Sequence, residues 1–135
     1  MGSANLDLVR SIFAAWERGD YTTLAEWADP EIEYVVADGP DTGTWTGLAG
    51  VAEAWRDIAD NWDDPRVEVQ NIRALSRERV LALYLRVGRG KTTGFDIGNL
   101  RTTSATIFDV HDGKVTRIVH YVDHRNALAD LGLKE

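Results

Sequence analysis

The sequence predicts an α+β domain in which three N-terminal helices pack in the concave face of a curved antiparallel sheet. Three observations carry that prediction. Between Leu48 and Trp62 the residues Leu48, Val51, Ala52, Trp55, Ile58, Ala59 and Trp62 share one stripe of a helix, while Glu53, Arg56, Asp57 and Asp60 fall elsewhere. From Arg66 onward the apolar period drops to two, the repeat of a strand. Near the end, Asp112-Gly113 separates two alternating runs, and this dipeptide tolerates the positive φ that both centre positions of a type I′ hairpin turn require.

Taken in order, the chain opens with an amphipathic helix. Asn5 suits the N-cap, Leu6, Val9, Ile12, Phe13 and Trp16 recur at helical spacing, and Gly19 ends the element. Asp20 caps a short second helix carrying Leu24 and Trp27; Asp29-Pro30 stops it, because the residue before a proline is pushed out of the helical region. Glu31 to Ala37 is partly alternating and rich in β-branched residues, so it predicts a strand, and Asp38-Gly39-Pro40-Asp41-Thr42-Gly43 is a loop by composition. Asp63-Asp64-Pro65 ends the third helix. Strands follow at Val67 and Val69, at Leu81, Leu83, Leu85 and Val87, and through a hairpin from Arg101 to Asp123. Arg89-Gly90-Lys91-Thr92-Thr93-Gly94 is a polar connection, and Asn126 to Leu131 forms a last helical turn before Gly132. With no repeat, low-complexity tract or boundary, residues 1–135 read as a single domain.

Composition narrows the function. A net charge of −7 argues against nucleic acid, whose phosphates need a basic face, and against anionic membranes. The absence of cysteine removes disulfides, thiol nucleophiles and thiolate metal sites. No apolar run has the length of a membrane span or a signal-peptide core, so a cytoplasmic location is expected. His120, Asp123 and His124 lie at a strand end, where a histidine spacing of four does not bring both rings to one side, and His111 adjoins the turn; no metal and no cofactor is expected. The acidic run Asp57, Asp60, Asp63, Asp64 reads as a solvated helix face.

Counting back from a two-residue turn, Val110 faces Val115, Phe108 faces Arg117, Thr106 faces Val119 and Ser104 faces Tyr121. On the other side lie Asp109 with Thr116, Ile107 with Ile118, and Ala105 with His120. A small residue across from an imidazole leaves room for the ring or for a ligand, which makes His120 the candidate proton carrier; a satisfied core histidine is the plain alternative. Glu33 shares a strand face with Val35 and is the nearest carboxylate to serve as its partner, unless it is solvated at a strand edge. Tyr34 points inward only if that strand's phase slips by one residue. Burial and a neighbouring carboxylate pull an imidazole's proton affinity in opposite directions, so the titration of His120 reports which environment is present.

Several short motifs, in order, resemble one family. They are Trp16-Glu17-Arg18-Gly19-Asp20 between helices, Trp45-Thr46-Gly47 before a helix starting at Leu48, Asp112-Gly113-Lys114-Val115, Tyr121-Val122-Asp123, Ala127-Leu128 and Gly132-Leu133. The chain is similar to the SnoaL-like, ketosteroid-isomerase-like proteins with the nuclear-transport-factor-two-like cone fold. The resemblance implies a cone of antiparallel sheet closed by three helices around a central pocket. It also implies that the ketosteroid isomerases' base carboxylate falls at Val35, their oxyanion tyrosine near Ile12 and their second oxyanion acid near Ala105 or Thr106. A hydrocarbon side chain neither abstracts a proton nor hydrogen-bonds an enolate, so steroid-type isomerisation is not expected. The polyketide cyclases of the family place an aspartate on the last strand three residues before the one matching Asp123, and that position is His120. The epoxide hydrolases' Asp-Arg-Asp arrangement is not recognisable.

Three functions are compatible with these residues. One is an acid–base enzyme of cyclase, isomerase or hydratase/dehydratase type, with His120 and Glu33 acting on an apolar, oxygenated small molecule in a pocket lined by Phe13, Trp16, Val35, Trp55, Ala105 and Ile118. The second is a binding module with the same pocket and no chemistry, and the third a dimerising scaffold whose pocket is filled by tryptophans. The apolar hairpin face of Phe108, Val110, Val115, Val119 and Tyr121 predicts a homodimer through the outer face of the sheet.

Overall fold

A computed structural model of the protein describes residues 2–18, 20, 23–38, 42–90 and 100–133, and side chains at 4–18, 20, 23–38, 42–56, 67–85 and 103–133. The elements run α1 (Gly2–Glu17), α2 (Leu24–Trp27), β1 (Ala28–Val36), β2 (Gly43–Thr46), α3 (Gly47–Asn61), β3 (Trp62–Ala74), β4 (Arg79–Gly90), β5 (Leu100–His111), β6 (Lys114–Tyr121) and α4 (His124–Leu131). One curved, open six-stranded sheet has the order β2-β1-β6-β5-β4-β3. Its pairings are antiparallel except for β1 beside β6, which run parallel. The α+β class predicted from sequence is the one found, with a fourth helix at the C-terminal end in addition to the three that precede the long strands.

The helix α1 buries Val9, Ile12, Phe13 and Trp16, as its periodicity requires. It starts before Asn5, whose amide donates to the carbonyl of Arg77 at 2.6 Å instead of capping. A single turn makes up α2, flanked by Thr23, whose hydroxyl accepts the Trp27 indole N–H at 3.1 Å. The strand β1 begins at once, so Pro30 lies inside it, where the register against β6 slips between Ala28 and Glu33. The inward stripe expected of Ile58, Ala59 and Trp62, and the solvated face expected of Asp57, Asp60, Asp63 and Asp64, concern side chains outside those described. The backbone of Trp62 opens β3 rather than continuing α3. Gly19, Gly39, Pro40, Asp41 and the connection Lys91-Thr92-Thr93-Gly94 also lie outside the described residues.

The predicted turn at Asp112-Gly113 is present, with φ of 51° and 77°. The register beyond it is not the simple one. Val110 pairs with Val115, but Asp109 pairs with Arg117, Phe108 with Ile118, Ile107 with Val119, Thr106 with His120 and Ala105 with Tyr121. Thr116 is the extra residue of a β-bulge, and its hydroxyl lies 3.3 Å from the Asp109 carbonyl. Strict alternation would place either Val115 or Ile118 outside the core; the bulge buries both and turns Arg117 outward.

The sheet is consequently apolar on both faces. Toward α1 and α3 lie Ile32, Tyr34, Val80, Ala82, Tyr84, Phe108, Val110, Val115 and Ile118. On the far face Leu81, Ala105, Ile107 and Tyr121 pack under Ala127 and Leu128 of α4. Asp123 caps α4 by accepting the Arg125 N–H, and Gly132 ends it at φ 71°, where the N–H of Leu133 reaches the Leu128 carbonyl at 2.8 Å. Among the described residues no helix is long and apolar enough to cross a membrane.

Candidate functional site

His120 lies in the last row of β6 that faces the helices, with Thr106 of β5 on one side and Val36 of β1 on the other. It is 8% exposed. The next residue on β5, Thr106, pairs across to Ala82, which leaves space beside the hydroxyl, and the ring of Tyr84 enters from the following position on β4. Its phenolic oxygen lies 2.8 Å from His120 Nδ1 and 2.7 Å from Thr106 Oγ1, with 3.4 Å between Thr106 Oγ1 and Nδ1. All three side chains are buried.

Two directions of hydrogen bonding fit this geometry. Thr106 donates to Tyr84 and Tyr84 to Nδ1, or Nδ1–H donates to Tyr84 and Tyr84 to Thr106. Both hydroxyls can reverse together when the imidazole changes tautomer. The arrangement therefore lets His120 take up or release a proton while keeping its phenol contact, the property needed in a general acid–base group.

An aromatic chain leads away from this network. Phe13 stacks tilted on Tyr84 with centroids 5.0 Å apart and meets Trp16 edge-on at 4.8 Å. Trp16 meets Trp55 edge-on at 5.5 Å, and Trp55 meets Tyr34 edge-on at 6.0 Å. Of the residues expected to line a pocket, Phe13, Trp16, Trp55 and Ile118 thus lie on the helix-facing side with His120.

Val35 and Ala105 do not. Val35 alternates to the opposite face from Tyr34 and Val36 and pairs with Val119, and Ala105 is buried under α4. The bulge at Thr116 is the cause for Ala105, since it exchanges the parity of β5 relative to β6. Glu33 shares the outward phase of Val35, and its carboxylate lies 3.0 Å from Arg117 Nε, both side chains being part-exposed. The structure therefore separates Glu33 from His120 by the thickness of the sheet. Tyr34, inward only on a slipped phase, is inward and buried.

Two contributors near His120 were not singled out by sequence. Tyr84 sits in Val80-Leu81-Ala82-Leu83-Tyr84-Leu85, where both parities are apolar and alternation carries no sign of which is inside. Asp38, read as loop, accepts the Val122 N–H at 2.6 Å, the Asp123 N–H at 3.1 Å and the Asn126 amide at 2.7 Å. Burial pushes the Asp38 carboxyl upward, but the Asn126 amide and the two backbone N–H groups, with the charge of His120, hold it below the usual carboxylate range. Nearby, burial and the hydrogen bond to Asp130 push Tyr121 up to about 12.

An open surface cleft of about 470 Å³ lies at the hairpin end, lined by Ser76, Glu78, Arg79, Asp109, Val110, His111 and Thr116. It contains none of the expected site residues, and its charges pair with one another, Arg79 with Asp109 at 3.0 Å and His111 with Glu78 at 2.6 Å. Among the described residues no cluster of three metal-ligating side chains occurs.

An uncharacterized protein of Mycobacterium tuberculosis is 30% identical over 122 residues, covering 87% of this chain and 88% of its own. The fold matches a candidate polyketide cyclase from Xanthomonas campestris (TM-score 0.72, 24% identity, 95% and 96% of the two chains). It also matches a candidate SnoaL-like polyketide cyclase from Jannaschia (TM-score 0.77, 12% identity, 99% and 95%). The SnoaL-like domain family matches residues 9–118, and with that span, the cone architecture and the mycobacterial relative, the chain belongs to the SnoaL-like family.

Proposed function

We propose that the protein is an acid–base enzyme acting on an apolar, oxygenated ring compound, with His120 as proton carrier and the Tyr84 hydroxyl as the group that receives or returns its proton. The observation that carries this reading is the buried Tyr84–His120–Thr106 network at the end of an aromatic wall. Hydrocarbon side chains would fill the same space without the desolvation that polar groups incur, so a polar network here is best explained by chemistry. The resemblance supports the reading too, because it implies that His120 takes the place of the aspartate on the last strand of the family's cyclases. The ligand class is supported by the Xanthomonas and Jannaschia relatives and by a further structural relative, TerC (TM-score 0.74, 20% identity), crystallised with polyporic acid, an oxygenated ring compound.

A second reading, binding without turnover, is favoured by the outward position of Glu33, whose carboxylate pairs with Arg117 on the face opposite His120. One experiment separates the two. Wild type, His120→Gln and Tyr84→Phe are incubated with a panel of oxygenated polycyclic compounds including polyporic acid, with tryptophan emission reporting binding and mass spectrometry reporting products. Binding by all three with turnover only in wild type is the expected result. Binding without turnover in any form establishes the second reading, and no response from any compound removes both.

The homodimer belongs to the same proposal, on a smaller face than the sequence predicts. Phe108, Val110 and Val115 are in the helix-side core, and α4 covers part of the other face, where Val35, Leu83, Leu85 and Val119 are half-buried. Sedimentation velocity at micromolar concentration tests this, and a monomer there refutes it.

A further inference from the structure

We propose that Asp38 is the positioning residue of the His120 site, holding the end of β6 in place and supplying the negative charge that Glu33 does not. The proposal rests on His120 being the proton carrier of that site. The parallel ladder between β1 and β6 ends at the pair Val36 and His120, where the N–H of Ala37 donates to the His120 carbonyl at 2.9 Å. Beyond that point no further backbone rung to β6 occurs among the described residues, and the Asp38 side chain takes over, accepting the N–H groups of Val122 and Asp123. The residue carrying the imidazole is thus fixed at its own carbonyl by Ala37, and the chain two and three residues beyond it is held at the Val122 and Asp123 amides by Asp38, more than eighty residues earlier in sequence.

Charge compensation distinguishes Asp38 from the ion-paired carboxylates of the sheet and of α4. Asp123 is paired with Arg125 at 2.7 Å, Glu33 with Arg117 and Asp109 with Arg79, each at 3.0 Å. Asp130 accepts from the Tyr121 hydroxyl, and His124 faces Asp123 at 3.7 Å. Among the described residues the donors to Asp38 are two backbone amides and one carboxamide, all neutral. They fix the carboxylate without cancelling its charge, so its field reaches His120 less screened than that of an ion-paired group. The attraction is reciprocal: what the imidazolium does to Asp38, Asp38 does to the imidazolium.

The test is the NMR titration of His120 in wild type, Asp38→Asn, Asp38→Ser and Asn126→Ala. Both Asp38 variants keep a hydrogen-bonding side chain and lose the charge, and two are used so that poor folding of one does not end the experiment. The midpoint of His120 is expected to fall by about half a unit in each, the size of one partly screened charge. Asn126→Ala keeps the charge and removes one neutral donor; it is expected to lower the melting temperature and leave the midpoint within about 0.2 unit of wild type. An unchanged midpoint in the Asp38 variants overturns the proposal, and so does an equal shift in Asn126→Ala, which would make the effect structural alone. Failure of the functional reading looks different: His120→Gln would retain turnover while Asp38→Asn still moved the His120 midpoint.

Discussion

The hydroxyl of Tyr84 lies 2.8 Å from Nδ1 of His120, joining β4 to β6 across the buried Thr106 hydroxyl. Tyr84→Phe keeps the ring against Phe13 and deletes only the oxygen, leaving His120 and Thr106 each with one partner fewer in the interior. The expected loss is about 1–3 kcal/mol, the usual cost of desolvating polar groups without replacing their hydrogen bond. Urea denaturation measures it; an unchanged midpoint would mean that the network adds nothing to the fold.

Glu33→Gln is expected to change very little. Its ion pair with Arg117 is part-exposed on the far face, and such pairs contribute under about 1 kcal/mol. The imidazole resonances of His120 should be the same in variant and wild type. A displaced His120 signal would show that the two groups communicate through the sheet.

How far the sequence leads can be seen along β6. Asp112-Gly113 announces its turn because few residues adopt positive φ at two successive positions, and the stripes of α1 and α3 announce their buried faces because polar residues occupy the rest. The bulge has no such mark. Thr116 is an ordinary strand residue, and what selects the bulge is a choice among whole faces, in which burying Val115 and Ile118 together outweighs one regular rung. From that shift follow the exchange of Ala105 for Thr106 beside His120 and the removal of Phe108 from the outer face. The phase of β1 was ambiguous for a related reason: Ile32, Tyr34 and Val36 compete with Glu33 and Val35, and a part-exposed Glu33 satisfied by Arg117 decides it. Asp38 belongs to a stretch whose composition says loop, and composition does not reveal hydrogen bonds to amides made by residues far along the chain.

Acid should weaken the fold partly through Asp38. Its folded pKa is depressed, so its contribution is fully present above the unfolded value of about 3.9 and is lost as pH falls through the lower folded value. Asp123, which Arg125 holds at about 2, acts in the same direction. Between pH 5 and pH 2 the urea midpoint of wild type should fall more steeply than that of Asp38→Asn. Parallel curves would contradict the assignment.

At the other end of the scale, Tyr121 titrates late. Burial and its hydrogen bond to Asp130 raise its pKa to about 12, so its contribution is complete below the unfolded value of about 10 and disappears as pH rises through the folded one. Absorbance at 295 nm should show tyrosine still protonated at pH 11 in wild type, and Tyr121→Phe should reduce the amplitude of that late step by one tyrosine. An unchanged amplitude in the variant would assign the step to other tyrosines.

The extra residue at Thr116 gives β6 two reading frames. Before it, Val115 looks toward the helices; after it, Ile118 and His120 do. Strand length and strand orientation are therefore coupled at a single peptide unit, and losing one residue there would do more than shorten the hairpin. It would turn the outer half of the strand over, sending His120 and Ile118 to the α4 side and carrying Arg117 into the company of Phe108 and Trp16. The chemistry of the site depends on a count of residues as much as on their identity.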